Sequence, residues 1–565
     1  MAERNLNDAQ REAAEHFTGP ALTLAGPGSG KTTVLTERTL LLVEKTRLPE
    51  RILCVTFTNA AGTEMRRRYR SAAAARFPEL RDLPEPVFKT VHSFCNGLIR
   101  EFEEAASLRY VRIEGEGGGK TEILRKIYFE INGGEADAYL LNQITGSGDH
   151  AADPEIRNLK QIRIAYEQYK RRRNLIDFDD MIGLASAILH SGGRPQKRIR
   201  EQYQERFQFI QVDEAQDLTE AQFEILQTLA AARNLFVVAD DDQSIYGFRG
   251  ASPACVGAFY RRHPDCKLYC LSRNYRSTQN IVRISETFIS KNTDRFDKDL
   301  YSEKEPGRMP QIRVCKNSIL QAEFIGKEIK KLRRVQNGLT TGILYRNNTS
   351  GLLPAAFFTK ENIPYYRQGE IPQLDTVPFV ETVLREIRNS ERGSGPILPR
   401  PDKTFRRLLE NGLERDFESY CRETRQHLRY KDAVLSFLLY LCSVSASWRE
   451  AVQLLDRINA RGDAAEGRSV CLSTVHSAKG LEYDAVFLID AIQGEFPGSG
   501  ASCGKMLEEE RRLFYVGLTR ARKYLYVTVP LVRGNLYAGK ETEKESVFVS
   551  ELRDVLRNVN SGGRT

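Results

Sequence analysis

The chain has 565 residues, too many for one hydrophobic core, so three or four domains are expected. Apolar residues make up 41% and charged residues 28%, the balance of a soluble globular protein, and apolar runs such as TLLLVE and AVFLID fall far short of the roughly 20 residues that cross a bilayer. The net charge of +9, from 84 basic and 75 acidic residues, is compatible with a polyanionic partner without establishing one. The polar start MAERNLNDAQ carries no signal-peptide pattern. Ten scattered cysteines without a C-x-x-C pair point to reduced thiols in a cytoplasm rather than to a zinc or iron–sulfur site.

In chain order, ALTLAG (21–26) reads as a short buried strand and TTVLTERTLLLVEK (32–45) as a helix. Between them lie Gly26, Pro27, Gly28, Ser29 and Gly30, followed by Lys31 and Thr32. Strand, Gly-rich loop and helix form the arrangement that grips nucleotide phosphates. The glycines let backbone N–H groups converge on phosphate oxygens, and the helix N-terminus adds its positive end. Lys31 is expected to reach the β- and γ-phosphates and the Thr32 hydroxyl to sit on Mg²⁺. Ala25 stands where the G-x-x-x-x-G-K-[ST] pattern has its first Gly, a position that needs a small residue more than a specific one.

The basic clusters Arg66–Arg68 with Arg70, and Lys170–Arg173, read equally as solvated helix faces and as phosphate contacts. FQFIQVDEAQD (207–217) is an apolar strand ending in Asp213 and Glu214. Asp213 is suited to hold Mg²⁺ through its water shell, and Glu214 to orient and deprotonate the attacking water. NLFVVADDDQSIYGFRGA (234–251) is a third strand with a polar exit, where Gln243 is placed to feel the γ-phosphate. Tyr246, Phe248 and Arg249 interleave rings with a cation, which suits base stacking on a single strand; the alternative is that the rings are core. ILCVTF, GILYRN, AVFLID and YLYVTV add strands that alternate with helical stretches, as parallel α/β sheets require.

Taken together these segments resemble the superfamily 1A DNA helicases of the UvrD/Rep/PcrA type, from residue 6 to about residue 551. LNDAQREAA resembles the Q motif, AGPGSGKT motif I, TFTNAAGTEM (56–65) motif Ia, TVHSF (90–94) motif Ib and VDEAQD motif II. ADDDQSIYGFRGA resembles motif III, LSRNYRS (271–277) motif IV, TVHSAKGLEYDAVFL (474–488) motif V and EEERRLFYVGLTRAR (508–522) motif VI. DFDDMI (177–182) is similar to the segment returning from the first insertion, and GILYRNN and IPYYR to the start of the second motor.

The resemblance implies an α/β fold with two RecA-like P-loop NTPase motor domains, parallel sheets flanked by helices, and mainly helical insertions. Motor 1A would span 1–90 and 205–275, with insertion 1B at 91–204. Motor 2A would span 276–375 and 466–552, with a reduced insertion 2B at 376–465 and a disordered tail at 553–565. ATP would lie between the motors, held by Ala25, Gly26, Pro27, Gly28, Ser29, Gly30, Lys31, Thr32 and Thr33. By the same resemblance Gln10 would read the adenine edge, Tyr275 would stack on adenine, Glu482 would contact the ribose, and Arg276 and Arg520 would reach the γ-phosphate. Phe57, His92, Tyr246, Phe248 and Arg249 would meet single-stranded DNA. The implied activity is an ATP- and Mg²⁺-dependent 3′–5′ helicase acting on single strands and single-strand/duplex junctions in repair, recombination or replication. It would be cytoplasmic and nucleoid-associated, a monomer or weak dimer. The alternatives are a translocase that strips bound proteins with little unwinding, and a DNA-binding accessory subunit.

Departures from the family pattern limit the transfer. Thr33 stands where the family often has an Arg beside the adenine, Asn59-Ala60-Ala61-Gly62 replaces Asn-Lys-Ala-Ala, and Phe248 replaces Trp. Only about 100 residues, Gln368 to Val470, are available for the 2B insertion, and they include RNSERGSGPILPRPDK (388–403), which reads as a Pro/Gly/Ser-rich linker. No nuclease motif follows motif VI.

Overall fold

Five-residue runs such as Ala21–Ala25 and Ile52–Thr56 are buried at every position, the mark of parallel strands covered by helices on both faces. A computed structural model of the chain describes residues 6–77, 84–114, 119–134, 136, 141, 144, 157–230, 234–368, 379–392, 400–423, 428–460, 470–501, 503–534 and 542–561. The chain divides into two compact units, Met1–Tyr275 with Arg295–Asp299, and Arg276–Asp294 with Leu300–Thr565.

The first unit is built on β1 (Ala21–Ala25), β2 (Ile52–Thr56), β3 (Val87–Thr90), β6 (Phe209–Val212), β7 (Leu235–Ala239) and β8 (Lys267–Leu271). All are parallel, in the order β3-β2-β6-β7-β1-β8. Strands β6, β7 and β1 are neighbours, so the loops leaving their carboxyl ends converge along one edge, where α/β sheets bind ligands. The motif IV segment divides: β8 and the residues through Tyr275 belong to this unit, and Arg276 begins the other.

The expected insertion at 91–204 divides as well. Helices Val91–Ala106, Phe178–His190 and Arg194–Arg206 carry apolar stripes, and Phe94, Leu98, Ala185, Leu189 and Tyr203 pack in one core with Leu22, Val55, Ile210 and Val237 of the sheet. They are therefore part of the motor layer. A separate small core, including Ile113, Ile123, Leu124, Ile127, Ile162 and Tyr166, lies around helices Lys120–Asn132 and Leu159–Arg172. A two-stranded ribbon of β4 (Val111–Arg112) and β5 (Leu175–Ile176) borders it. Members of both basic clusters are engaged within their own unit. Arg67 and Arg68 pair with Glu64, Arg70 pairs with Glu85, and Lys170 is buried among Glu167, Asp177 and Asp180.

Residues Arg295–Asp299 return to the first unit because of charge. Lys298 is fully buried with its ammonium on Asp240, Asp241 and Asp242, and Arg295 forks onto Asp242 at 3.0 and 2.8 Å. Burial opposes the charge on Lys298, but Asp240, Asp242 and Asp241 outweigh it and raise the lysine's pKa.

The second unit contains β9 (Gln311–Cys315), β10 (Thr341–Tyr345), β11 (Tyr365–Gln368), β12 (Val470–Thr474), β13 (Tyr483–Leu488) and β14 (Ala521–Pro530). They form a parallel sheet in the order β11-β12-β10-β13-β14-β9. The reduced insertion supplies helices Val380–Glu391, Pro401–Glu410, Leu413–Glu423, Leu428–Val444 and Trp448–Ala460. Val383, Phe405, Phe417, Leu438 and Leu454 lie in one continuous core with Ile343, Tyr365, Leu472 and Phe487 of the sheet. Polar ties reinforce the join: Gly534 N donates to Ser436 Oγ at 2.8 Å, and Arg429 Nη2 to Gln493 O at 2.8 Å.

Two expectations are corrected here. Within the stretch read as a linker, residues 388–391 end one helix and Pro401 opens the next at its first turn, where proline is tolerated; residues 393–399 lie outside the described residues. The tail expected to be disordered from 553 is helical through Ser561 in the helix Val547–Ser561. Phe548, Leu552 and Val555 recur at helical spacing and are buried, with Phe548 against Phe288 and Phe514.

The shared core of the second unit gives a direct test. Trp448 is the chain's single tryptophan and lies on the insertion, while Ile343 lies in the central strand β10 and is fully buried. Ile343→Ala should lower the stability read by Trp448 fluorescence in urea by about 2–5 kcal/mol. An insertion folding on its own would leave that transition where it was.

Candidate nucleotide and nucleic-acid site

The phosphate loop is fixed from the N-terminal helix. Asn7 and Gln10 form a reciprocal capping box on helix Asp8–Ala14. Gln10 Nε2 then donates to Ser29 O at 2.8 Å. Gly30 caps the helix Lys31–Thr46 at φ 91°, and a Cβ there would come 2.6 Å from Gln10 Nε2. Gly30 is thus required by backbone conformation and by close approach together. Gly28 also has positive φ, at 69°, and such turns aim successive N–H groups at an anion. From the far side Asn274 Nδ2 donates to Pro27 O at 2.6 Å and Tyr275 N to Gly28 O at 2.9 Å. Asn7 Nδ2 donates to the Tyr275 hydroxyl at 2.9 Å. The structure therefore gathers Gln10, the loop from Ala25 to Thr33, and Tyr275 into one constellation.

The carboxylates come from the neighbouring strand ends. Lys31 Nζ lies 3.6 Å from Glu214 Oε1 and 3.5 Å from Asp240 Oδ2. Gln243 donates from Nε2 to the same Asp240 oxygen. Glu214 sits at φ 53°, a left-handed conformation costly for a residue with a side chain and characteristic of functional sites. Its Oε2 accepts from Gln216 Nε2 at 2.5 Å. Burial, with the adjacent charge of Glu214, pushes the Asp213 carboxyl up to about 7 against the pull of Lys31. An anion-gripping loop beside a buried carboxylate of raised proton affinity fits a phosphate with its divalent cation. Asp240, Asp241 and Asp242 also stand close enough together to hold a metal ion, but the cation seated on them is the Lys298 ammonium.

The stacking residues form a ladder at the same edge of the sheet. Phe57, just after β2, stacks on Tyr246 with ring centroids 5.0 Å apart and planes at 26°. Tyr246 meets Phe248 at 6.0 Å, and the Arg249 guanidinium lies 5.5 Å from both ring centres. Phe248 is 51% exposed, so the outer ring presents a face to solvent. His92 pairs instead with Phe178, edge to face at 5.1 Å, and Phe178 is 48% exposed.

In the second unit Arg276, Glu482 and Arg520 cluster at the amino ends of β13 and β14, whose first residues Tyr483 and Ala521 are register partners. Arg276 and Arg522 both pair with Glu482. Burial opposes ionisation of Glu482, but Arg276 and Arg522 outweigh it and hold the carboxyl at about 2. Arg520 is buried, with Nε donating to Val516 O at 2.9 Å and Nη1 to Leu481 O at 3.3 Å.

Sequence reading did not single out Asn7, Phe178, Asp240, Asn274 or Lys298. The capping pattern Asn7-x-x-Gln10 was a legible signal for the first. The others act through partners distant in sequence, which spacing does not reveal.

Comparison with known proteins places this geometry. The UvrD/REP helicase N-terminal domain matches residues 6–264. The UvrD-like helicase C-terminal domain matches residues 269–375 and 429–531 and does not match 376–428. The chain is 30% identical to the ATP-dependent DNA helicase PcrA of Leuconostoc citreum, over 99% of this chain and 86% of that protein. It is 29% identical to PcrA of Staphylococcus epidermidis and 27% to PcrA of Staphylococcus aureus, in each case over 99% of this chain and 88% of the relative. With both domains matched in order and a relative aligned along nearly the whole chain, the protein belongs to the UvrD/REP helicase family.

Proposed function

We propose that this chain is an ATP-dependent DNA helicase that moves 3′ to 5′ on single-stranded DNA and unwinds duplex, in the cytoplasm, in DNA repair, recombination or replication. One observation carries the coupling of hydrolysis to movement. The loop after β7 holds Gln243 on Asp240, the partner of Lys31, and three residues later presents Tyr246 stacked on Phe57. A single short loop thus touches the phosphate-gripping lysine's partner and the stacking platform. Polarity and pathway rest on family membership.

Each residue has a role that its chemistry supports. Lys31 and the backbone N–H groups of the loop orient the β- and γ-phosphates, and Gln10 and Tyr275 border the adenine. Glu214 takes the proton of the attacking water. Arg276 and Arg520 stabilise charge on the γ-phosphoryl in the transition state. Thr32 and Asp213 would hold Mg²⁺, which when bound neutralises phosphate charge. Phe57, Tyr246, Phe248 and Arg249 grip single-stranded DNA by stacking, worth about 1–3 kcal/mol per base and tolerant of sequence.

A second reading, a translocase that displaces proteins and unwinds poorly, is favoured by residues 376–428 falling outside the match to the UvrD-like C-terminal domain. Forked-duplex unwinding measured beside streptavidin displacement separates the two: displacement without unwinding selects the translocase.

Lys31→Ala and Glu214→Gln should each cut DNA-stimulated ATP hydrolysis by about 100-fold or more, with single-strand affinity within about threefold in a fluorescence-anisotropy titration; near-normal turnover in either would refute the site. Phe248→Ala should reduce nucleotides advanced per ATP while ATP affinity holds, and unchanged stepping would remove this ring from the DNA path. A raised Asp213 pKa makes a contribution to folding stability that is present below its ordinary value of 3.8 and lost as pH rises through about 7. Nucleotide-free Asp213→Asn should therefore gain thermal stability over wild type on going from pH 5 to pH 8. Parallel melting curves for the two proteins would contradict the shift.

A further inference from the structure

The chain from Asn292 to Lys298 is held by two different sets of partners. In the second unit Asn292 Nδ2 donates to Glu508 O at 3.0 Å, and Arg511 Nη1 donates to Asn292 Oδ1 at 2.6 Å. Thr293 N and Oγ1 both donate to Glu508 Oε1 at 2.8 Å, and Arg512 Nη2 donates to Asp294 O at 2.8 Å. Glu508, Arg511 and Arg512 all lie on helix Gly504–Leu518, directly before Thr519 and Arg520. From the next residue on, the partners belong to the first unit. Arg295 forks onto Asp242, Phe296 N donates to Asp241 Oδ2 at 2.7 Å, and the Lys298 ammonium sits on the three aspartates, 3.4 Å from Asp240 Oδ1. Asp294 and Arg295 are consecutive, so no slack residue separates the two clamps.

We infer that Asn292–Lys298 is a tether that carries the state of the phosphate loop to the helix leading into Arg520, with Lys298 as its positioning residue. The inference rests on the nucleotide-site reading above. Asp240 is the shared element: one oxygen faces Lys298, while the other accepts from Gln243 and faces Lys31 at 3.5 Å. A γ-phosphoryl group bound at Lys31 competes with Asp240 for that ammonium, because charges a few ångströms apart in a poorly screened interior interact strongly. As Lys31 turns to the phosphate, the Asp240 charge falls to Gln243 and Lys298, and the strap is gripped more tightly. The covalent link at Asp294–Arg295 passes that change to the helix holding Asn292 and Asp294. A purely structural strap would need only to neutralise the aspartates, and the length of its connection to Asp294 would not matter.

Insertion of Gly-Gly between Asp294 and Arg295 separates the two cases in the full chain. It changes none of the side chains named above and adds about 7 Å of slack. The tether predicts a DNA-stimulated kcat at least fivefold below wild type, with the Kd for a fluorescent ATP analogue within twofold and the melting temperature unchanged. A wild-type kcat in the folded insertion variant overturns the tether and leaves the nucleotide site standing. Should the insertion variant fail to fold, Arg295→Gln, which removes the Arg295–Asp242 fork from the first-unit clamp and keeps Lys298, decides by the same kcat-against-Kd split. Its kcat should fall at least twofold and be restored in part by Arg295→Lys; no change overturns the proposal. Wild-type protein that hydrolyses ATP with no response to DNA would instead remove the helicase reading, and the tether with it.

Discussion

The Asp240 carboxylate lies fully buried at the carboxyl end of β7, and its two oxygens face different cations. Removing a carboxylate from water is costly unless cations and hydrogen bonds replace the lost solvation. Lys31, Gln243 and Lys298 provide that replacement, and they come from three separate segments of the chain. The phosphate loop, the motif III loop and the returning strap Arg295–Asp299 are therefore mutually constrained by one charge. The parallel order β6-β7-β1 makes this arrangement available, because it delivers Asp213, Asp240 and the phosphate loop to the same edge.

The same edge carries the aromatic ladder, so one loop joins the Asp240 cluster to the stacked rings. Phe57 leaves β2 and Tyr246 follows β7, and the two rings stack. Arg249 lies 5.5 Å from the ring centres of Tyr246 and Phe248 and keeps a cation beside the stack. Phe178 beside His92 adds an exposed ring contributed by the helix Phe178–His190, which packs into the motor core rather than belonging to a detached insertion.

The helices of the region expected as a reduced insertion share one core with the sheet of the second unit. Their apolar faces continue the core of the sheet, with Val383, Phe417 and Leu454 beside Ile343 and Phe487. The first three of these helices, Val380–Glu391 to Leu413–Glu423, lie in the residues 376–428 that the UvrD-like C-terminal domain does not match, and the last two fall almost wholly in the matched range.

Local sequence determined the elements whose signals are local. The apolar strands ALTLAG, ILCVTF, FIQVDE, LFVVAD, GILYRN, AVFLID and YLYVTV all form strands, and the glycine spacing before Lys31 marked the turn whose positive φ values at Gly28 and Gly30 the loop requires. Edge strand β9, with only Cys315 of its five residues fully buried, carried too weak a pattern to be read. The limits of the insertions were equally hidden, since a helix with one apolar stripe looks the same whether that stripe meets a private core or the motor's. Only the tertiary structure decided that Lys298, rather than a metal, occupies the aspartate triad and that Asn274 and Asn7 brace the phosphate loop. The same holds for the helical tail, where Phe548 packs on Phe288 and Phe514. The physical reason is common to these cases: burial and charge pairing are settled between residues tens to hundreds of positions apart, and spacing along one chain does not encode which of them meet.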